Sequence, residues 1–339
     1  MGKRFFFRAD ASSKVGLGHL TRCVALASML RDKFTCCFLL KDSAEVGFNM
    51  LTENNFACLS LEENDLEMEA LEVSQIVRKG DVLVIDGYQF TEAYFVKVKS
   101  NGAQLVLIDD FAKDFPQADV IINHAVDLPA NAFAKRNNTR YCLGEKYAML
   151  RAPFLKLAKQ ARRISKVERV FICFGGADYF NITLKTLQCL QTISTPLSLH
   201  VVLASTFPYR NEVEDFIRGS TLKVQIHYNL DAQQMADLMR SCEIAIAPTS
   251  GLSYEICAVG MGYIGGYYID NQMGIHGGFL KRDCLRSVGD FTKVSPLVLS
   301  AAFTALVSDI EGVNALMLAQ RKVVDGSSDG KFIEVFSEL

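Results

Sequence analysis

Short apolar runs alternate with longer amphipathic segments along most of this chain. Each run ends near a Gly, Asp or Asn and precedes a stretch of helical periodicity. This alternation is typical of buried parallel strands joined by crossover helices. The predicted strands are 4–8, 35–40, 81–85, 104–108 and 119–122 in the first half, and 169–173, 198–203, 223–227, 243–247 and 263–268 in the second. The pattern therefore predicts an α/β protein with mainly parallel sheets.

A segment rich in Lys and Arg interrupts the alternation of predicted strands and helices near the middle of the chain. Residues 155–168 lack a strand pattern and fit a solvated helix or a linker at a domain boundary. At 339 residues the chain also exceeds what one hydrophobic core usually supports. We therefore predict two Rossmann-like domains, 1–160 and 161–339, with the carboxyl ends of both sheets facing a shared cleft.

Composition narrows the class of protein and of ligand. Half of the residues are hydrophobic and 22% are charged, as in ordinary globular proteins, and the net charge is −2. So small a net charge does not attract nucleic acid, which favours a small-molecule ligand. No apolar run approaches the length of a membrane span, and the first ten residues lack a signal-peptide core, so a cytoplasmic protein is predicted. The ten cysteines are scattered without a C-x-x-C pair and are predicted to be reduced.

The first predicted strand leads into a glycine loop that carries a histidine. The backbone N–H groups of such a loop and the positive end of the following helix can bind an anion. His19 lies at that helix start, where the dipole favours a neutral imidazole that can act as a base; the alternative is a loop or capping histidine without chemistry. A dinucleotide fingerprint needs a third glycine at position 21, which is Thr, although Asp42 could serve as its ribose-binding acid. The candidate binding residues of this segment are Arg8, Asp10, Gly16, Gly18 and Arg22.

Two loops of the second half have similar chemistry. Paired glycines at 175 and 176 let a backbone approach a diphosphate, although an ordinary turn has the same appearance. After the strand at 243–247, hydroxyl residues and a glycine begin a helix that has an acid about one turn further along. This loop is either a site for phosphate and ribose or a plain capping box. The candidate residues are Gly175, Gly176, Asp178, Asn181, Ser250, Gly251, Leu252 and Glu255.

Taken in order, these segments resemble the UDP-sugar hydrolases of pseudaminic acid biosynthesis, a family with the two-lobed GT-B glycosyltransferase fold. The matching segments are Gly-Leu-Gly-His at 16–19, Asp-Gly-Tyr at 86–88, Gly-Gly-Ala-Asp at 175–178, Ser-Gly-Leu-Ser-Tyr-Glu at 250–255 and Asn-Gln at 271–272. The likeness is collinear and covers nearly the whole chain to about residue 280, beyond which the match is loose. One position departs from the family pattern, since Ala177 stands where Ser or Thr is common.

The resemblance implies a reaction and roles for particular residues. Family members cleave UDP-2,4-diacetamido-2,4,6-trideoxy-β-L-altropyranose to UDP and the free sugar by attack of water on the anomeric carbon. By resemblance, His19 is the general base and Tyr88, the second catalytic candidate, faces the sugar. Asp86 is a candidate substrate-binding residue, and Asn271 and Gln272 lie near the diphosphate and sugar. Domain 1–160 is then the sugar and catalytic side, and 161–339 the UDP side. Tyr88 could equally be a packing aromatic that exposes only its hydroxyl.

The sequence also bears on cofactors and on rival functions. No acidic D-x-D pair follows a strand and no His or Cys cluster has metal-ligand spacing, so we predict neither a metal nor another cofactor. A GT-B glycosyltransferase with a UDP-sugar donor and a non-catalytic UDP-sugar-binding protein remain alternatives. The sequence does not predict an oligomeric state.

Overall fold

A computed structural model describes residues 3–11, 17–41, 45–63, 65–113, 115–129, 131–134, 136–175, 178–193 and 196–339. The chain forms two compact units. Unit 1 comprises Met1–Ala152 and Ser327–Leu339, and unit 2 comprises Pro153–Gly326. Two of the candidate glycines, Gly16 and Gly176, lie outside the described residues, as does Ala177.

Unit 1 is built around a parallel sheet. Its strands are β1 (Arg4–Ala9), β2 (Thr35–Leu40), β3 (Ala57–Ser60), β4 (Val82–Asp86), β5 (Gln104–Ile108), β6 (Val120–Asn123) and β7 (Arg140–Leu143). Their order across the sheet is β3-β2-β1-β4-β5-β6-β7. The central strands are buried along almost their whole length, as expected for a parallel sheet covered on both faces.

Two of the helices of unit 1 begin at side-chain caps. The helices in this part of the chain are α1 (Gly18–Leu30), α2 (Glu45–Glu53), α3 (Leu66–Ile76) and α4 (Glu92–Lys99), followed by a single 3-10 turn at Glu145–Tyr147. The Asp65 side chain accepts from the first-turn N–H groups of α3, and Thr91 does the same for α4. These caps satisfy donors that no helical carbonyl can reach.

Unit 2 repeats the plan with a second parallel sheet. Its strands are β8 (Arg169–Ile172), β9 (Ser198–Leu203), β10 (Lys223–Tyr228), β11 (Ile244–Pro248), β12 (Gly262–Tyr267) and β13 (Arg286–Asp290), in the order β10-β9-β8-β11-β12-β13. The helices are α5 (Ala152–Ala158), α6 (Ile182–Gln191), α7 (Arg210–Gly219), α8 (Ala232–Ser241), α9 (Gly251–Val259), α10 (Asn271–Lys281), α11 (Pro296–Ser308) and α12 (Ile310–Val323). One continuous core packs the sheet against α6, α11 and α12.

The last helix, α13 (Ser328–Ser337), packs with unit 1. Its Phe336 ring lies 5.3 Å from that of Phe5 on β1, and its Phe332 ring lies 5.4 Å from that of Tyr147. The division of the chain therefore differs from the predicted one near residue 160. Unit 1 ends at Ala152 and also includes Ser327–Leu339, because the apolar face of α13 is buried against the rest of this unit.

Every predicted strand is confirmed, but three strands were not predicted. These are β3, β7 and β13, and each lies at an edge of its sheet. Edge strands are partly solvated, and most residues of all three are exposed or only half-buried. Their sequences therefore lack the continuous apolar run by which the buried strands were recognised.

Among the described residues, no single helix is both long enough and apolar enough to span a membrane. One bent pair of helical segments, Pro296–Ser308 with Ile310–Ser337, meets these two criteria when the segments are counted together.

Candidate functional site

The topology of unit 1 places its candidate residues at one point of the sheet. β1 pairs with β2 on one side and with β4 on the other, so the chain reverses direction across the sheet between β1 and β4. Loops that leave the carboxyl ends of two such strands diverge and create a crevice where α/β proteins bind ligands. His19 lies in the first turn of α1, which follows β1, and Asp86 is the last residue of β4, so both lie at this crevice.

His19 is paired with a buried carboxylate. Its Nδ1 lies 2.6 Å from Oδ1 of Asp86, and the two residues are only 8% and 1% exposed. Burial alone would raise the pKa of Asp86, but the charge and hydrogen bonds of Arg22 lower it below its ordinary value, so Asp86 is ionised. An ionised carboxylate can only accept, so the neutral form of the imidazole carries its proton on Nδ1 and has its lone pair on Nε2.

Arg22 joins Asp86 to a second carboxylate. Its Nε and Nη2 donate to Asp86, and its Nη1 and Nη2 donate to Asp110 at 2.7 and 3.0 Å. Nη2 also lies 3.2 Å from His19 Nδ1, but both of its hydrogens are directed to the two carboxylates. Arg22 therefore stabilises the charge of Asp86 without competing for the imidazole proton.

Tyr88 lies at the mouth of the crevice. Its hydroxyl donates to Oδ2 of Asp110 at 2.6 Å, and its ring contacts that of His19 edge to face, with centroids 4.7 Å apart. The side chain is 46% exposed, so it is more than a core packing residue. Asp110 was not predicted as a site residue; its position directly beyond the end of β5, next to β4 in the sheet, is the signal that could have found it.

Arg8 and Asp10 belong to a buried ionic cluster beside the crevice. Arg8 is 1% exposed, and its Nε and Nη2 donate to Glu69 at 2.8 and 3.1 Å. Its Nη1 donates to Asp10 at 2.5 Å, and Asp10 also accepts from Gln89 at 3.1 Å. The Arg8 guanidinium therefore faces carboxylates of the chain itself, and it holds Asp10 in place.

Unit 2 brings its candidate loops together at the equivalent point. β8 pairs with both β9 and β11, which makes the β8–β11 junction the crevice of this sheet. Gly175 follows β8 with φ +85°, a conformation that favours glycine, and it is exposed. Ser250 and Gly251 follow β11.

Asp178 caps a helix of unit 2. Its carboxylate accepts from the N–H groups of Ile182 and Thr183, both at 2.8 Å, in the first turn of α6. Asn181 adopts a left-handed conformation and donates to Glu212 at 2.9 Å. The first-turn donors of α6 are thus bound to the chain's own carboxylate, and a phosphate would have to displace it.

The start of α9 is more open. The Ser250 hydroxyl accepts from Leu252 N–H, and Ser253 accepts from Ser250 N–H, which completes a capping box. Among the described residues, nothing lies within 4 Å of a Cβ added to Gly251, so another group can approach the backbone at this position. Glu255 lies one turn further along and is 7% exposed. The capping box that was the alternative interpretation of this loop is therefore present, and it is completed by Ser253 and not by an acid.

The loop after β12 lies against the same crevice. Gln272, near the start of α10, accepts from Tyr268 N–H at 3.0 Å, while Asn271 is exposed. The Tyr268 hydroxyl donates to the carbonyl of Phe174 at 3.0 Å, and burial raises its pKa to about 12, which keeps it a donor. Tyr268 was not predicted, yet it connects the glycine loop after β8 to the loop that carries Gln272.

Within the described ranges, no group of three or more His, Cys, Asp or Glu side chains has the geometry to hold a metal ion. The prediction that the protein uses no metal or other cofactor stays a prediction.

His124 is buried near Arg22, Asp86 and Asp110, and it makes the stability of unit 1 depend on pH. Burial, followed by the charge of Arg22, lowers the pKa of His124 to about 4, whereas an unfolded histidine titrates near about 6.5. Between these values the unfolded chain binds the additional proton, so stability is lost as the pH falls through that window.

We therefore expect unit 1 to lose less stability between about pH 7 and about pH 5 when His124 is replaced by glutamine. Urea unfolding measures the free energy of unfolding of each protein at both pH values. The loss between the two pH values is then compared between the variant and the original protein. Burial also lowers the pKa values of His200, His227 and His276, but these lie in unit 2, so the unfolding of unit 2 keeps its pH dependence in the variant. An unchanged pH dependence in His124→Gln would contradict the assignment.

No protein-family model matches this chain. An uncharacterized protein of Methanocaldococcus jannaschii is 27% identical over 285 residues, which are 80% of this chain and 57% of that protein. The match thus spans little more than half the length of that relative.

Two further relatives have descriptive names. The UDP-2,4-diacetamido-2,4,6-trideoxy-beta-L-altropyranose hydrolase of Campylobacter jejuni is 24% identical over 281 residues, covering 79% of this chain and 93% of that protein. The spore coat polysaccharide biosynthesis protein SpsG of Bacillus subtilis is 22% identical over 262 residues, covering 75% and 74%. The chain is therefore distantly homologous to both.

Solved structures share the fold over the whole chain. MurG of Acinetobacter baumannii has a TM-score of 0.69 at 11% identity, covering 100% of both chains. The UDP-GlcNAc 2-epimerase of Neisseria meningitidis bound to UDP-GlcNAc has a TM-score of 0.66 at 12% identity, again covering 100% of both. The predicted α/β fold of the GT-B glycosyltransferase type is confirmed.

Proposed function

We propose that this chain is an enzyme that acts on a nucleotide sugar, and specifically a hydrolase that releases UDP and a free diacetamido-trideoxy sugar. Three lines support the proposal: distant homology to a hydrolase of that name, a fold shared with nucleotide-sugar enzymes, and a candidate base at the crevice of unit 1. In this proposal unit 1 provides the sugar and catalytic side, and unit 2 the UDP side.

The observation that carries the proposal is the hydrogen bond from His19 Nδ1 to the buried Asp86. It fixes the ring and leaves Nε2 basic, which is the arrangement a general base requires. Asp86 itself is 1% exposed, so it acts through His19 as a positioning residue and not as a contact for the substrate. Tyr88 and Asp10 remain at the crevice as candidates to contact the sugar hydroxyls or acyl groups.

Unit 2 has an opening suited to a diphosphate. The helix end at Gly251 presents N–H groups and a positive dipole, and Ser250 adds a hydroxyl. In this proposal the carboxylate of Glu255 accepts from ribose hydroxyls, and Gln272 and Gly175 border the same crevice. Because α6 is capped by Asp178, we assign the phosphate to α9 and not to α6.

The proposed reaction is a single displacement by water. His19 Nε2 accepts a proton as the water oxygen bonds to the anomeric carbon, and the bond from that carbon to the diphosphate oxygen breaks. The electron pair leaves with UDP, whose charge is met by the N–H groups at the start of α9. The products are UDP and the free sugar.

Incubation of the protein with the UDP-sugar in ¹⁸O-water tests this directly. We expect equimolar UDP and free sugar without any added acceptor, with the label in the anomeric hydroxyl and none in UDP. Turnover only in the presence of an acceptor alcohol would instead identify a glycosyltransferase. UDP binding without turnover in either assay would identify a non-catalytic binding protein.

A further inference from the structure

A large cavity of unit 2 lies away from the crevice. It has a volume of about 640 Å³, which is in the range of small-molecule sites, and its wall is formed by α12 and by the end of α5 with the segment that follows it. Arg162 in this wall donates to the carbonyls of Cys242 and Gly260, which lie just before β11 and β12. Because these strands are parallel, the cavity lies at their amino ends, and the length of α9 separates it from the helix start at the crevice.

The wall of this cavity is strongly basic. Its charged side chains are four cations and one acid: Lys159, Arg162, Arg163, Arg321 and Glu311. Burial, followed by the charge of a further cation, Arg240, lowers the pKa of Arg162 to about 10. The same two causes lower the pKa of Arg321. Several positive charges therefore repel one another at this side of unit 2.

The guanidinium groups are held in place by the chain, but carboxylates do not neutralise them. Arg162 donates to the carbonyl of Cys242 at 2.7 Å, and Arg321 donates to that of Gln160 at 2.6 Å. In the part of the chain that the structure describes, none of the arginines in the wall forms an ion pair, and the Arg163 side chain has no hydrogen-bond partner. Carbonyl groups carry only partial charges, so a bound anion would offset the cost of burying these cations.

The remainder of the wall is mostly apolar. It includes alanine side chains of α5 and α12 together with Met317 and Leu318. Met317 is 4% exposed, whereas Leu318 is 69% exposed. Exposed apolar surface beside a group of cations suits a ligand that has both an anionic and an apolar part.

We propose that this cavity binds a phosphate monoester that carries an apolar group, with the phosphate near Arg163 and the apolar group against Leu318. A phosphate monoester carries about −1.5 to −2 charges at neutral pH, which suits several cations better than the single charge of a carboxylate. Guanidinium groups bind its oxygens through paired N–H groups. The site is independent of the proposed function, because it lies at the opposite edge of the sheet from the proposed phosphate site of UDP.

Isothermal titration calorimetry on the full-length protein tests this site with octyl phosphate below its micelle concentration, inorganic phosphate and a neutral octyl ether of polyethylene glycol. We expect octyl phosphate to bind more tightly than inorganic phosphate, and the neutral ether not to bind. Arg163→Gln should weaken the binding of octyl phosphate about fivefold. Leu318→Asn should weaken it by about the same factor and leave inorganic phosphate unchanged. Both side chains are exposed, so the variants should fold normally.

Arg218→Gln and Leu297→Asn are the matched controls. Both residues are exposed in unit 2 and lie outside the wall of the cavity, so neither change should affect the binding of octyl phosphate. Absence of octyl phosphate binding would overturn the proposal. Equal binding of octyl phosphate and the neutral ether, or equal binding by the original protein and both cavity variants, would also overturn it.

Sedimentation with phosphatidylcholine vesicles distinguishes two sources of such a ligand. If the phosphate monoester belongs to a lipid, vesicles that contain phosphatidic acid should sediment the original protein and not Arg163→Gln. If it belongs to a soluble molecule, octyl phosphate should bind while neither kind of vesicle sediments the protein. Either result agrees with the assignment of the cavity, whereas equal sedimentation of Arg163→Gln and the original protein would contradict a role for Arg163.

Discussion

His19→Asn should lower the rate of UDP-sugar cleavage about a hundredfold or more, because the substrate water loses its proton acceptor. Asparagine is close in size to the imidazole and can still hydrogen-bond to Asp86, so the crevice is expected to keep its shape. UDP affinity should be unchanged, since the proposed phosphate site is in unit 2. Steady-state kinetics measures the rate, and calorimetry with UDP measures the affinity.

His227→Asn is the control for this substitution, because His227 lies on β10 at the edge of the unit 2 sheet. It should retain full activity. If His19→Asn cleaved the UDP-sugar at the original rate while binding UDP normally, His19 could not be the base.

Asp86→Asn separates positioning of His19 from contact with the substrate. With no exposed surface to offer a ligand, Asp86 should affect kcat and leave KM nearly unchanged. The amide no longer fixes the tautomer that keeps Nε2 basic, so the pH dependence of kcat should also change. A raised KM with an unchanged kcat would show that Asp86 binds substrate directly, as predicted from the sequence.

The second large effect concerns stability. Glu69→Gln should lower the free energy of unfolding of unit 1 by about 3–5 kcal/mol, the usual result of removing one partner from a buried ion pair. The Glu69 side chain is fully buried and accepts from Arg8, Lys41 and Tyr94. Burial by itself would raise the pKa of Glu69, but Arg8 lowers it overall, so the group is ionised in the folded protein.

Hydrogen exchange of peptides from β1 and α3 measures this effect in unit 1 alone. Glu168→Gln is the control: Glu168 pairs with Lys166 at 2.7 Å on the exposed surface, and its loss should change nothing measurable. Unaltered exchange in Glu69→Gln would mean that the cluster around Arg8 adds no net stability to unit 1.

The sequence predicted the buried part of the fold well and its edges poorly. Runs such as Val-Leu-Val-Ile in β4 are apolar throughout because both faces of the strand are covered, and that pattern is visible in the sequence alone. In β13 three of five residues are glycine or charged, so nothing in the sequence marks it as a strand. It becomes one because the neighbouring β12 offers its backbone hydrogen bonds.

The sequence predicted only part of the candidate site, because it shows local patterns and not which distant residues become neighbours. The position of His19 between a glycine and a helix start is local information. Its partner Asp86 is 67 residues away, and Asp110 is 88 residues from Arg22. Both acids follow predicted strands, yet only the strand order β1-β4-β5 brings them to the same arginine, Arg22.

By itself the sequence determined which segments are buried strands, which loops carry glycines and hydroxyls at helix starts, and that a histidine occupies one of them. Only the tertiary structure decided that a carboxylate, Asp178, caps α6 whereas a serine hydroxyl caps α9, and that the last helix packs with the first unit. Hydrophobic periodicity and capping depend on residues within a few positions of one another. Hydrogen-bond partners and cavities depend on which distant segments the sheet order makes neighbours.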